Sequence, residues 1–487
     1  MVFSWIHLLS ALVSAVCLKR IIAHLLDPLR VVPGPFLARF TRLWYLVCTI
    51  NGRTHENIGA LHDRYGPVVR LAPTEYSIAD LDIYKQIYGP RTAYEKGPWY
   101  SAFKSPEKEY TIFTDRNNKH YAQIRRKYSN AFSLSNVAQY EDTLNKCLSL
   151  FCKKFAKIAD EKSECDLAQW CRFFAFDSIG QMAIGNLRVM ELERDEHGIL
   201  SMTHASTLYG NIVGRIPEWH AWIWKFLPTN MSEKGAIAWI TETMRKKVQG
   251  EVCSTVTTFT DVWLQQEEKM SQEDIFLGLA TVFGGGSNTS AVTIVNIIHA
   301  LWKHPEVCEK LQIEIDEAVK TEGLQGGVIA WETARRLPYL QAVIKESLRL
   351  IPIVGVQAPR TVPKGGDTIS GYFFREGLTV GLHPWSTRMN PKYFGDDAAI
   401  FRPERWLGDG EEAKRNEYYH MPFSVGPRTC IGRHIAIFKI TKAIAQLVYL
   451  FSFDITMPKG ELRYHSYSQV EPDIVHCRVE LRRPVCF

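Results

Sequence analysis

The sequence predicts a mainly α fold with smaller β-sheets: two long helical patterns stand among short strand patterns that glycine and proline close off. The first helix begins near Ser271, where Ser271 and Asp274 have the spacing of a capping box. It stays apolar for several turns until His304-Pro305 ends it. The second starts at Leu337-Pro338, with proline near its first turn, and continues through Arg349. The strands are shorter. A helix ending at Gly66 runs into Val68-Val69-Arg70-Leu71-Ala72, and Lys364-Gly365-Gly366-Asp367 turns one strand into another that ends at Gly371.

No Gly-, Ser- or Pro-rich linker divides the 487 residues, so one large domain over 37–487 is expected. Hydrophobic residues at 46% and charged residues at 23% are ordinary globular values and argue against disorder. The eleven cysteines are odd in number, with no C-x-x-C pair and no His/Cys grouping at zinc spacing. They read as reduced thiols of a cytosol-facing protein. The net charge of +6, without a long basic run, suits an anionic membrane surface or an acidic redox partner and gives no reason to expect nucleic acid.

From Val2 to Leu18 the chain is mostly apolar and uncharged; Lys19 and Arg20 follow, and Ile21, Ile22, Leu25 and Leu26 extend the run. Residues 1–26 are therefore expected to form an N-terminal membrane anchor helix with the body on the cytosolic side. A signal segment and a helix lying in the interface are the alternatives. Residues 27–36, with Pro33-Gly34-Pro35, are a proline-rich hinge that cannot continue the helix.

The stretch that organises the chain is Phe423-Ser424-Val425-Gly426-Pro427-Arg428-Thr429-Cys430-Ile431-Gly432. A cysteine in a loop stiffened by glycine and proline, just before an apolar helical pattern, suits a thiolate that ligates a metal. Amides at a helix start and the macrodipole favour its charge, so this thiol is expected to ionise more readily than a free one. Gly426 and Gly432 let the backbone approach a flat ligand. A second unusual stretch is Gly284-Gly285-Gly286-Ser287-Asn288-Thr289, in the middle of the first long helix, where each glycine costs about 1 kcal/mol relative to alanine. Thr289 can bond back to the carbonyl of Gly285 and loosen the helix there. A close helix crossing through small residues is the other reading.

The cysteine stretch resembles the haem-binding loop of the cytochrome P-450 superfamily, with Phe423, Gly426, Arg428, Cys430 and Gly432 at the matching positions. The resemblance implies a triangular-prism fold with haem b between a long central helix and the helix after the cysteine, and Cys430 as axial ligand of the iron. Gly285, Gly286, Asn288 and Thr289 then match the oxygen-binding motif. Asn288 stands where an acid is usual, which leaves proton delivery to Thr289 and ordered water. Arg125 and Arg360 fall at propionate-binding positions, and Arg428 belongs to the cofactor loop. The residue four before Arg125, usually Trp or His, is Tyr121 here, with His120 displaced by one. Glu346 and Arg349, with Arg405 of Phe401-Arg402-Pro403-Glu404-Arg405-Trp406, resemble the buried Glu-Arg-Arg cluster that supports the cysteine loop. Val354 and Val356 would face the substrate.

By the same resemblance the chain is a haem-thiolate monooxygenase of fungal style. Val380-Gly381-Leu382-His383-Pro384-Trp385 and Gly395-Asp396-Asp397 look most like the pisatin-demethylase-type branch. It would activate O2 with electrons from NADPH through cytochrome P-450 reductase, with cytochrome b5 as a further donor. It would oxidise an apolar small molecule of secondary metabolism at the endoplasmic reticulum membrane. A haem-thiolate isomerase or dehydratase working without O2 and a non-catalytic haem-binding protein are the alternative functions. Two aromatic stretches keep two readings each. Tyr94 to Phe113 is a packed loop or a lid over the pocket. The tryptophans between Pro217 and Pro228 form a helix connection or an interfacial patch.

Overall fold

The computed structural model describes residues 2–104, 110–185, 187–226, 231–249, 257–266, 270–324, 327–457 and 461–485. The chain is 61% helical with small sheets, the class the sequence predicts. The helices that position the site are α1 (Val2–Leu25), α2 (Thr54–Tyr65), α3 (Asn118–Ser129), α4 (Glu141–Asp160), α5 (Leu167–Ile184), α6 (Ile199–Val213), α7 (Gln272–Gly286), α8 (Asn288–Lys303), α9 (Pro305–Glu322), α10 (Pro338–Leu350) and α11 (Arg433–Leu450). Their ends follow local chemistry. Ser271 Oγ accepts from the Asp274 amide and the Asp274 carboxylate accepts from the Ser271 amide, which completes the capping box of α7. Pro305 and Pro338 stand at the starts of α9 and α10, and α5 stops at Gly185 in the left-handed region, φ 80°.

Helix α8 is buried around most of its circumference and packs on α5, α10 and α11, making it the centre of the core. The long helical run expected from Ser271 to His304 is broken at Ser287, with φ −87° and ψ −73°, between α7 and α8. Side-chain bonds to carbonyls cluster at the break. Ser287 Oγ donates to Phe283 O at 2.8 Å, Thr289 Oγ1 to Gly285 O at 2.9 Å and Thr293 Oγ1 to Thr289 O at 2.9 Å, each competing with the backbone ladder. The 272–303 run is long and apolar enough to cross a membrane, but it is a mostly buried core element.

Strands β1 (Val68–Ala72), β2 (Glu75–Ile78), β3 (Glu95–Lys96), β5 (Arg360–Thr361) and β8 (Thr379–Leu382) form a sheet in the order β1-β2-β8-β5-β3, all antiparallel except β2 with β8. β6 (Asp367–Ile369) and β7 (Tyr372–Phe374) make a hairpin through Ser370 and Gly371, both at positive φ. β4 (Glu164–Asp166), β12 (His476–Leu481) and β9 (Phe451–Ile455) form a third sheet, and β10 (Tyr464–Ser466) pairs with β11 (Val470–Pro472).

Along α1, Leu12, Val13, Val16, Leu18, Ile21, Ile22 and Leu25 are exposed. Trp219, Trp222 and Phe226 also point outward, with 57%, 59% and 69% of their surface free, so this tryptophan cluster is a patch and not a packed connection. Part of the Tyr94–Phe113 stretch, 105–109, lies outside the described residues; in the rest, Trp99 and Tyr100 are buried and pack edge-on with Phe103 and Phe113.

Burial holds the His55 imidazole at about 4 and that of His383 well below its ordinary range. The unfolded chain takes up those protons first as pH falls below about 6.5, so the folded state loses stability between there and pH ~4. Asp177, raised by burial to about 6, acts in the opposite sense and is outnumbered. The unfolding temperature is expected to fall steadily over this range, and His55→Phe should flatten the curve.

Candidate active site

The cysteine loop is folded by its own backbone. Ser424 and Gly426 take positive φ of 60° and 69°, the Cys430 amide donates to Phe423 O at 2.9 Å, and the Thr429 amide and hydroxyl both donate to Gly426 O. Gly432 caps α11, and a Cβ on it would lie 4.0 Å from Cys430 Sγ. The Cys430 side chain is reachable by solvent although protein surrounds it. That enclosure corrects the expectation of an easily ionised thiol. Burial raises its pKa above the ordinary value, outweighing the Gly432 amide and the charges of Arg125 and Arg433, which pull it down.

Beside the loop stands a cluster of four cations. Lys96 and Arg360 are direct partners in the β3–β5 pair, with 7% and 3% of their surface exposed, so two like charges sit opposite each other in the interior. Lys96 Nζ lies 4.5 Å from the Tyr100 ring and 5.8 Å from that of Tyr121, and Arg360 Nη1 donates to Tyr100 Oη at 3.3 Å. The Arg428 guanidinium stacks 3.8 Å from the Tyr121 ring, and Arg125 Nη1 donates to Tyr121 Oη and to Thr429 O, both at 2.6 Å. Burial pushes Lys96 well below the ordinary lysine range, and the charges of Arg360, Arg428 and Arg125 add to the effect against the single raising influence of Asp115.

Arg428 spends most of its donors on Asp115 O, Arg116 O and Asn118 Oδ1, fastening the cysteine loop to the start of α3. Tyr121 is turned inward, whereas the displaced His120 is half exposed and lies 3.0 Å from the Asp115 carboxylate.

At the break, Gly285 is exposed although it belongs to a core helix, and a Cβ on Gly284 or Gly285 would meet nothing within 4 Å. A Cβ on Gly286 would lie 2.9 Å from Ile179, so only this third glycine is a packing requirement. Asn288 Nδ2 donates to Gln469 Oε1 at 2.9 Å, and Lys439 of α11 donates to Gly286 O at 2.9 Å. Val354 is 41% exposed, while Val356 is buried at 2% and turned into the protein.

Behind the loop, Glu346 is fully buried and accepts from Arg349, Arg405, the Trp406 indole and the Arg402 amide at 2.7–2.9 Å. Both arginines are buried and also donate to carbonyls of 388–400. Buried charge of this density stands only because each partner is bonded.

These residues fit haem b. An accessible thiol on a glycine-bounded loop, a helix face left bare at Gly284 and Gly285, and a cluster of four basic side chains, buried at Lys96 and Arg360 with Asp115 as the carboxylate beside it, match an iron ligand, a flat macrocycle and two propionates. Lys96, Lys439 and Gln469 were missed in the sequence. A lysine among Tyr94, Trp99 and Tyr100 is the signal that could have found Lys96, since an apolar segment has no use for a charge without an anion.

The cytochrome P450 family model matches residues 33–473. The chain is similar to a pisatin demethylase of Fusarium vanettenii, 32% identical over 91% of this chain and 87% of that protein. It is also similar to the cytochrome P450 monooxygenase prhB of Penicillium brasilianum, 30% identical over 97% and 98%. A crystal structure of a cytochrome P450, CYP102L1, superposes with a TM-score of 0.75 at 20% identity, covering 88% of this chain and 94% of that one, which shows a shared fold. On this match, and with fungal monooxygenases among its relatives, the chain belongs to the cytochrome P450 family of haem-dependent monooxygenases.

Proposed function

We propose that this chain is a membrane-associated, haem-thiolate monooxygenase that takes electrons from NADPH through a flavoprotein reductase. It hydroxylates or demethylates an apolar small molecule of fungal secondary metabolism. The observation that carries the reading is the accessible Cys430 thiol beside the Lys96–Arg125–Arg360–Arg428 cluster, of which Lys96 and Arg360 are buried. Haem b, when bound, supplies the iron at which dioxygen is reduced. Cys430 would hold the iron through its accessible sulfur, and the four cations would pair with the propionates. Thr289 Oγ1, with its own proton on Gly285 O, keeps lone pairs free to accept from a water and so orders a proton at the bare face of the break. Asn288 is held by Gln469 and contributes no acid.

Residues 1–26 are read as the anchor at the endoplasmic reticulum, 27–36 as the hinge and 37–487 as the catalytic domain. The exposed apolar residues of α1 and the Trp219–Phe226 patch support a body resting on the bilayer. Similarity to the pisatin demethylase supports demethylation as one outcome.

The deciding experiment incubates membranes holding the chain and a reductase with fungal metabolite extracts. A one-oxygen mass gain, or its demethylated equivalent, should require both NADPH and reductase. A product formed without them would favour the isomerase or dehydratase reading. Thr289→Ala should lower coupled product at least ~10-fold, with NADPH diverted to peroxide and haem content unchanged. Lys96→Met should reduce haem retention, and retention equal to wild type would remove Lys96 from the cofactor site.

A further inference from the structure

The break that carries Thr289 is gripped from outside its own helix at two points. Gly286 and Asn288 lie about 200° apart around a helix, and each is bonded to a different element. On one side is Lys439, fully buried, whose ammonium donates to Gly286 O and to Ala175 O of α5 at 2.9 and 3.0 Å. A cation at the end of α7 is favoured by the helix dipole and satisfies a carbonyl at the helix's last residue. Lys439 is six residues after Arg433, about 9 Å along α11, so the helix that follows the cysteine loop also caps the break.

On the other side is Gln469, in the turn between β10 and β11. Its backbone is fixed: the Val470 amide donates to Ile353 O and the Gly355 amide to Ser468 O, both at 2.7 Å, and Gln469 bridges Val354. Its side chain accepts from Asn288 Nδ2 across 181 positions of sequence. It also lines a small cavity with His204, Thr207 and Asn211 of α6, where the buried Asn211 Oδ1 has no protein partner. The pair of amides is neutral on both sides. It requires no counter-charge, unlike a carboxylate at position 288.

We infer that Gln469 is a positioning residue for Thr289: it holds the Asn288 side of the break against the Lys439 side and ties the oxygen-facing turn to the hairpin beside Val354. The inference rests on the role of Thr289 in the reading above. It explains why an amide at 288 is tolerated: the side chain serves as a strut. A ligand that shifts the 467–469 turn would then reset the turn bearing Thr289.

The test compares the haem-loaded wild type with Gln469→Leu and Gln469→Glu. Gln469→Leu is expected to speed amide exchange over Ser287–Ser290 about five-fold, the loss of one hydrogen bond, and to raise peroxide released per NADPH, with the global unfolding temperature unchanged. Gln469→Glu should recover part of both readouts, because its carboxylate still accepts from Asn288 Nδ2 although it brings a charge without a counter-charge. Exchange and peroxide equal to wild type in Gln469→Leu, or a Gln469→Glu variant as perturbed as Gln469→Leu, would overturn the inference. A wild type lacking the thiolate-type haem spectrum would instead overturn the monooxygenase reading, and the exchange comparison would still decide the role of Gln469.

Discussion

Glu346→Leu is expected to cost about 3–5 kcal/mol of folding stability, a large part of what a domain has, and to prevent haem loading at ordinary growth temperature. The carboxylate has no exposed surface and accepts from Arg349 Nε and Nη2, Arg405 Nε, Trp406 Nε1 and the Arg402 amide. Leucine fills the volume but leaves the buried Arg349 with carbonyls alone and Arg405 with Asp397 as its one close carboxylate. Denaturant unfolding of the haem-free chain measures the loss; a change under about 1 kcal/mol, the range of exposed pairs such as Arg53–Glu56, would show that the cluster is not the keystone described.

Gly426→Ala is the second large effect. The residue sits at φ 69°, and a Cβ there would lie 2.1 Å from the carbonyl oxygen of Tyr88. The left-handed conformation costs alanine about 1–2 kcal/mol, and a clash with backbone cannot be relieved by a rotamer change, so about 1–3 kcal/mol more is expected from overpacking. The strain falls on the loop that also carries Cys430. Haem content after purification should drop sharply, with the fold retained by circular dichroism. A fully loaded Gly426→Ala protein would mean that the loop moves away from Tyr88 without disturbing the cysteine.

Local chemistry was legible in the sequence. The capping box at Ser271 and Asp274, the prolines opening α9 and α10 and the Thr289 bond to Gly285 each depend on residues within four positions of one another. What was not legible depends on pairing across the chain. Nothing near Lys96 says that β3 will align it with Arg360, and nothing near Asn288 points to Gln469. The Cys430 thiol shows the same limit. The amides and charges that favour its ionisation are near in sequence, whereas the burial that outweighs them is assembled from α3, α11 and the loop together. The Trp219–Phe226 cluster was undecided between two fates because composition gives apolarity and not direction; exposure settles the direction.

The most direct measurement is the absorption spectrum of the dithionite-reduced, carbon monoxide-bound protein, recorded for the wild type and for Cys430→Ser. The wild type should give the long-wavelength Soret band of a thiolate ligand, and Cys430→Ser should lose that band while neither Cys147→Ser nor Cys308→Ser does. If Cys430→Ser keeps the band, the sulfur that grips the iron is not that of the loop before α11.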